Sequence, residues 1–284
     1  MRPARWMYVV VFALACNRPD QSEYPTFISV TQQSFTTLPS QGSNSTAISE
    51  LWFYSDGDIL GVVDTPAALP LLKEGSQTIT IFPGIKNNGM GTSRIRYPFY
   101  AGYDTTLVVT SGNTYDLIPR FTYIDNVAID ASRNFESGNS FVEASTNDGT
   151  IELLNDPALA ASGVRCVRLK LPAGNSILSY LDETNISLTA GNVAFLEMDY
   201  SCNNTFIVGV YVITGGSTSK VPVLYLTPTQ EDGTSNPKWN KIYMDLGMIA
   251  SQNISADNYR IYVECTAQEA SEPTIYLDDI KIVK

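Results

Sequence analysis

The feature that most constrains this chain is an alternation of apolar and polar residues with a period of two. It runs through short segments and is broken by Gly, Asn, Pro or Ser roughly every eight to twelve residues. In residues 76–85 (SQTITIFPGI), Ile79 and Ile81 share one face while Thr78, Thr80 and Phe82 share the other, as successive side chains of a strand must. Residues 50–64 (ELWFYSDGDILGVVD) read as two strands around an Asp56-Gly57 turn, a β-hairpin. Trp52 alternates within the first of them and is expected in the core. Helical periodicity is almost absent, and residues 156–162 (DPALAAS) offer a single helical turn. The chain is therefore expected to be all-β.

The 284 residues contain no histidine. That removes the commonest general base, every Ser-His-Asp or Cys-His arrangement and the usual zinc chemistry. An enzyme without histidine would have to work with carboxylates, as glycosidases do. Against 18 Lys and Arg stand 29 Asp and Glu, a net charge of −11. Such an acidic surface argues against nucleic acid and against electrostatic docking on anionic lipid. Cys166, Cys202 and Cys265 lie singly in apolar β-like runs (GVRCVRLKL, MDYSCNNTF, RIYVECTA) rather than in CxxC pairs. They are expected as free core thiols, one disulfide being the alternative an exported chain permits.

The N-terminus gives an address. Arg2 and Arg5 precede an apolar run, Trp6 to Ala15, too short to span a bilayer as a helix. Small residues lead into Cys16. Ala13-Leu14-Ala15-Cys16 resembles the lipobox of bacterial lipoprotein signal peptides. The resemblance implies cleavage before Cys16 and a diacylglycerol on its sulfur, which anchors rather than spans. Residues 1–15 would then be the signal peptide and residues 16–26, polar and with two prolines, a tether.

Two folded units are expected beyond it. Residues 27–123 read as a small β-sandwich, residues 124–133 (IDNVAIDASR) as a linker and residues 134–284 as a second sandwich with at least eight strand candidates. Among these, residues 238–249 (KWNKIYMDLGMI) read as one strand. In the first unit, WFYSDGDILGV followed by PAALPLLKEG and TITIFPGIK resembles the small β domains of the PEGA and carboxypeptidase-regulatory type. FPGIKNNGM with RIRYPFY is similar to uncharacterised outer-membrane lipoproteins of Bacteroidetes. In the second unit, NFESGNSFVEAS, CVRLKLPAG and the closing TIYLDDIKIVK resemble jelly-roll carbohydrate-binding modules.

Candidate sites follow from these readings. Glu136 at the start and Asp278 or Asp279 at the end of the second unit are hard oxygen ligands placed for a structural calcium, the one cofactor considered, or are capping carboxylates. Glu197 and Asp199, two apart on one strand, together with Glu264 and Asp278, are the carboxylates available to a histidine-free glycosidase, or else a solvated strand face. The loop carrying Arg94, Arg96, Tyr97, Phe99, Tyr100 and Tyr103 is either an exposed recognition surface or the core beneath a long loop. Trp239, after Asn236-Pro237, is a second platform candidate. Asp104-Thr105-Thr106 resembles the Bacteroidetes O-glycosylation sequon.

The expected function is non-catalytic: a lipoprotein of the outer membrane, more on its extracellular than its periplasmic face. As the leading expectation it is an accessory subunit of an outer-membrane assembly or transport complex, its partner a barrel or another envelope protein, bound through residues 94–103. As the alternative it binds a polysaccharide through the jelly roll.

Overall fold

The computed structural model describes residues 26–234 and 236–284. Cys16 and the signal-peptide and tether readings of residues 1–25 lie outside the described residues.

The chain is all-β, as its alternation requires. In the first unit the spine is Gly75–Lys86. It pairs antiparallel with Glu50–Ser55 along one edge, and along the other with Tyr103–Val109 and then Arg94–Arg96. Asp58–Asp64 extends this sheet through the expected hairpin, whose Asp56 and Gly57 both sit at positive φ, 49° and 88°. A three-stranded sheet of Ala67–Leu71, Thr26–Val30 and Thr114–Asp116 lies apart from it, with a short parallel pair of Ser34–Phe35 and Arg120–Phe121. Leu51, Phe53, Ile79 and Ile81 share the core with Ile28 and Phe121 from those strands. Trp52 is not in it. It alternates onto the opposite face, half-buried, with its indole N–H donating to Glu50 at 3.0 Å.

The second unit is a two-sheet β-sandwich. One sheet runs in the order Thr150–Asn155, Arg165–Lys170, Thr274–Val283, Phe195–Cys202, Asn240–Asp245. The other runs Phe141–Glu143, Leu178–Asp182, Asn258–Cys265, Phe206–Thr214, Ser217–Leu226. Leu169, Met198, Leu277 and Ile282 from the first meet Tyr180, Val208, Val210 and Val263 from the second. The three cysteines are free and buried. Two expectations are corrected. Residues 124–133 are not linker throughout, because Ile129–Arg133 pairs antiparallel with Thr274–Val283. Arg133 is buried there against Asp182 and Asp130, so its charge is neutralised rather than solvated. The strand read over residues 238–249 stops at Asp245, whose carboxylate accepts the Gly247 N–H at 2.8 Å and opens the short helix Gly247–Gln252.

At the strand Phe195–Cys202, this sheet does not face water on its outer side. All eight residues of that strand are buried. Leu196, Met198, Tyr200 and Cys202 point into the sandwich. The alternate positions point out, and the first unit covers them: Phe195, Tyr243 and Val283 belong to the hydrophobic cluster of that unit. Glu197 is held there by hydroxyl donors, Tyr97 at 2.8 Å and Tyr123 at 2.9 and 3.0 Å, with Lys241 at 3.4 Å. Asp199 accepts from Ser45 at 2.7 Å and lies 3.6 Å from Lys241, while the Lys281 ammonium donates to the Ser43 carbonyl. Burial pushes the Lys241 ammonium down, but Asp199 and Glu197 outweigh it and hold the group above its ordinary value. Burial, then the Glu197 charge, pushes the Tyr97 and Tyr100 hydroxyls far up, so they stay protonated donors.

Removing one member of a buried ionic set strands the others. Glu197→Ala is therefore expected to cost about 3–5 kcal/mol in urea unfolding. Glu197→Gln, which keeps an acceptor for Tyr97 and Tyr123, is expected to cost less. Equal stability of Glu197→Ala and wild type would contradict this account of the interface.

Candidate functional site

The structure brings some of the sequence candidates together, in their packing and capping roles rather than as binding or catalytic groups. The aromatic loop is a buried interface rather than a recognition surface. Tyr97, Phe99 and Tyr100 are all buried, and the Tyr97 ring packs edge-on against Phe195 at 5.1 Å and tilted against Tyr243 at 5.0 Å. The physical reason is the uncovered outer face of the neighbouring sheet, which these rings and the carboxylate Glu197 complete. Tyr103 is half-buried. Arg94 is engaged by Glu50 and Asp64, and Arg96 stacks on the Phe82 ring at 4.2 Å. Trp239 is half-buried against Tyr276, with its indole N–H on the Leu159 carbonyl at 3.2 Å, so it is packed rather than presented.

The carboxylates are likewise spoken for. Glu197 and Asp199 have no route to a substrate, being under the first unit. Glu264 lies on the far sheet, paired with Lys220. Glu136, Asp278 and Asp279 do converge on one loop, but backbone and hydroxyl donors take their oxygens. Glu136 accepts the Val164 and Arg165 N–H groups at 2.8 and 3.0 Å. Asp278 accepts those of Ala161 and Ser162 at 2.9 and 3.2 Å, and Asp279 accepts the Ser162 hydroxyl at 2.5 Å. Among the described residues no group of three His, Cys, Asp or Glu side chains is placed to hold a metal ion. These carboxylates brace the loop as caps. Burial, and then the neighbouring Asp279, push the Asp278 carboxyl up to about 8.

The outer face of the other sheet is open. Cross-strand register sets its side chains in rows: Leu181, Tyr262, Gly209 and Pro222 in one, Ser179, Glu264, Ile207 and Tyr225 in the next, Arg260, Tyr211 and Lys220 in a third. The Tyr262 ring is the floor of this face. It lies over Gly209, where a Cβ would come within 2.3–2.5 Å of the ring atoms. Tyr211 packs beside it at 5.3 Å, and the Lys220 ammonium sits 4.4 Å above it while pairing with Glu264. Burial, then the Glu264 charge, push the Tyr262 hydroxyl up to about 12. Tyr211 is half-buried, and Tyr225 is 63% exposed. Arg260 donates to Asn185 at 2.7 Å, and Ser179 donates to Glu264 at 3.1 Å, giving the aromatic face a polar fringe. Flat amphipathic rings beside such donors and acceptors suit a ligand with one apolar face and many hydroxyls. Sequence reasoning missed these tyrosines. Their signal was present: Tyr211 and Tyr262 stand at alternate positions opposite the inward Val210 and Val263.

Beside Tyr225, a cleft of about 440 Å³ opens between the two units. The first unit contributes Ser49, Lys86, Asn88 and Gly89, the second Tyr200, Tyr225, Asn240 and Lys241. The NNGMG segment reaches over to form it. The Asn88 N–H donates to the Tyr243 carbonyl at 2.9 Å, and the Asn88 amide oxygen accepts the Asp245 N–H at 2.9 Å. Asn88 and Gly89 are both left-handed, and a Cβ on Gly89 would meet Ile242 Cδ1 at 2.8 Å, so a side chain there would be strained and would push Ile242 aside.

No protein-family model and no curated protein matches the chain. Among solved structures it is similar to one described as the structural basis for the promiscuous specificity of the carbohydrate-binding modules from the β-sandwich superfamily, at 15% identity over 81% of this chain and 83% of that one, with a TM-score of 0.38. It is also similar to the family 11 carbohydrate-binding module of a cellulosomal cellulase of Clostridium thermocellum, at 8% identity over 56% and 95%, TM-score 0.39. A family 29 carbohydrate-binding module is similar at 14% identity over 56% and 92%, TM-score 0.33.

Two outcomes are expected. The folded Asp278 carboxyl titrates near 8 rather than its ordinary 3.8. The folded state therefore holds a proton that the unfolded chain has lost, and Asp278 contributes stability at low pH that disappears as pH rises through 8. Melting temperature against pH is expected to decline less between pH 4 and 8 in Asp278→Asn than in wild type, and parallel profiles would contradict the assignment. Gly209→Val is expected to lift the Tyr262 ring and cost about 1–3 kcal/mol in urea unfolding, with an altered near-ultraviolet tyrosine circular dichroism. An unchanged signal would place the ring elsewhere.

Proposed function

We propose that this protein is a non-catalytic glycan-binding lipoprotein, anchored to the outer membrane through Cys16 with its folded units on the extracellular side. The carrying observation is the tyrosine face of the open sheet, where exposed Tyr225 and half-buried Tyr211 stand with a fixed Tyr262 floor. Pyranose rings have an apolar face that stacks on tyrosine and hydroxyls that pair with groups such as Lys220, Glu264, Arg260 and Asn185. The reading of an accessory subunit in an outer-membrane complex relied on an exposed aromatic loop at residues 94–103. With those rings buried, that reading has lost its contact surface. Among the described residues no helix is long and apolar enough to cross a membrane, and the lipid on Cys16 supplies the attachment in this reading.

The test is affinity gel electrophoresis of the full chain against a panel of soluble neutral and acidic polysaccharides. Binding to at least one polymer is expected, weakened about tenfold or more by Tyr211→Ala or Tyr225→Ala, with melting temperatures near wild type because both side chains stand on an open face. Binding that ignores both substitutions, or none on any polymer, would overturn the proposal. Cys16→Ser is expected to move the protein from the membrane to the soluble fraction.

A further inference from the structure

We infer that the cleft between the two units recognises an acidic sugar, a uronate or another carboxylate-bearing residue, with Lys86 as the partner of its charge. This rests on the glycan-binding reading and extends it, since it assigns the ligand class and gives the first unit a share in the site.

The first observation is the charge of the cleft. In a chain with 29 acidic and 18 basic residues, the cleft is lined by two lysines, Lys86 and Lys241, and by no aspartate or glutamate. The two lysines are not equivalent. Lys241 is buried and already balanced by Glu197 and Asp199, so it serves the interface. Lys86 is exposed and takes part in none of the ion pairs among the described residues. An exposed lysine at the mouth of a cleft without carboxylates is free to meet a ligand anion.

The second observation is the rest of the lining. Ser49 is part of the cleft wall, and its hydroxyl oxygen is buried without a hydrogen-bond partner. Asn88 and Asn240 add amides to the lining, Asn240 donating to the Tyr200 hydroxyl at 3.1 Å. At about 440 Å³ the cleft falls in the range of roughly 300–1,000 Å³ usual for small-ligand sites.

The third is continuity. Tyr225 belongs both to the tyrosine face and to the cleft lining. A glycan chain lying across Tyr211 and Tyr225 would therefore deliver its next sugar to Lys86. The neighbouring unit closes the end of the row, so the acidic unit meets groups from both halves of the chain.

The experiment is isothermal titration of the full chain with polygalacturonate, with its fully methyl-esterified form and with a neutral xylan. The acidic polymer is expected to bind about tenfold or more tightly than its ester, the loss of one charge-assisted contact. That preference is expected to vanish in Lys86→Ala and in about 0.5 M NaCl. Lys86→Ala leaves the neutral polymer unaffected, whereas Tyr211→Ala weakens all three. Because Lys86 is exposed and unpaired, its substitution is not expected to disturb folding. Neutral binding that depends on Tyr211, without any preference for the acidic form, would overturn the cleft inference alone. A preference that survives Lys86→Ala would do the same. No binding to any of the polymers would overturn both readings.

Discussion

The packing of the first unit onto the outer face of one sheet of the second is the constraint from which the rest of this molecule follows. A β-sandwich normally buries one face of each sheet and leaves the other wet. Here the strand Phe195–Cys202 is buried on both. Its outward Glu197 and Asp199 are not solvated but shared among Tyr97, Tyr123, Ser45 and Lys241. Buried charge is tolerated only where it is paired and hydrogen-bonded. The tyrosines of the first unit are thus ligands of that carboxylate as much as apolar filler.

One consequence is an asymmetry of faces. On the sheet with the ionic residues, the face around Phe195–Cys202 is covered by the first unit and holds the halves together. The other sheet keeps its outer face free, and there the tyrosines collect. Gly209 shapes that face by giving the Tyr262 ring room to lie down, and Lys220 and Glu264 hold a charge pair above it. The interface also makes the cleft, because the Asn88-Gly89 turn reaches the edge strand at Tyr243 and leaves a gap beside Lys241 and Tyr225. The segment FPGIKNNGM with RIRYPFY therefore builds much of the contact between units, together with Ser45 and Tyr123.

The legible parts of the chain were those governed by local rules. The Asp56-Gly57 hairpin, the Ile79 and Ile81 face and the free core cysteines follow from turn chemistry and period-two alternation. Where expectations failed, a distant surface was responsible. Ile129–Arg133 looked like linker because its pairing partner lies at the other end of the chain. Tyr97, Phe99 and Tyr100 looked like a recognition loop because nothing within their own segment covers them. Glu136, Asp278 and Asp279 meet at one loop and accept from residues 161–165, in line with the capping alternative read from the sequence.

The sequence by itself determined the all-β character, because alternation with a period of two and frequent turn residues permits no other regular structure. The absence of histidine and the net charge of −11 likewise narrowed the chemistry open to the chain. Only the tertiary structure decided which polar faces are wet. Alternation places Glu197, Tyr211 and Tyr262 on outward faces alike, and cannot tell that one face meets another domain while the other meets solvent. Burial is a property of what packs above a residue, and for Glu197 that is a tyrosine one hundred positions away.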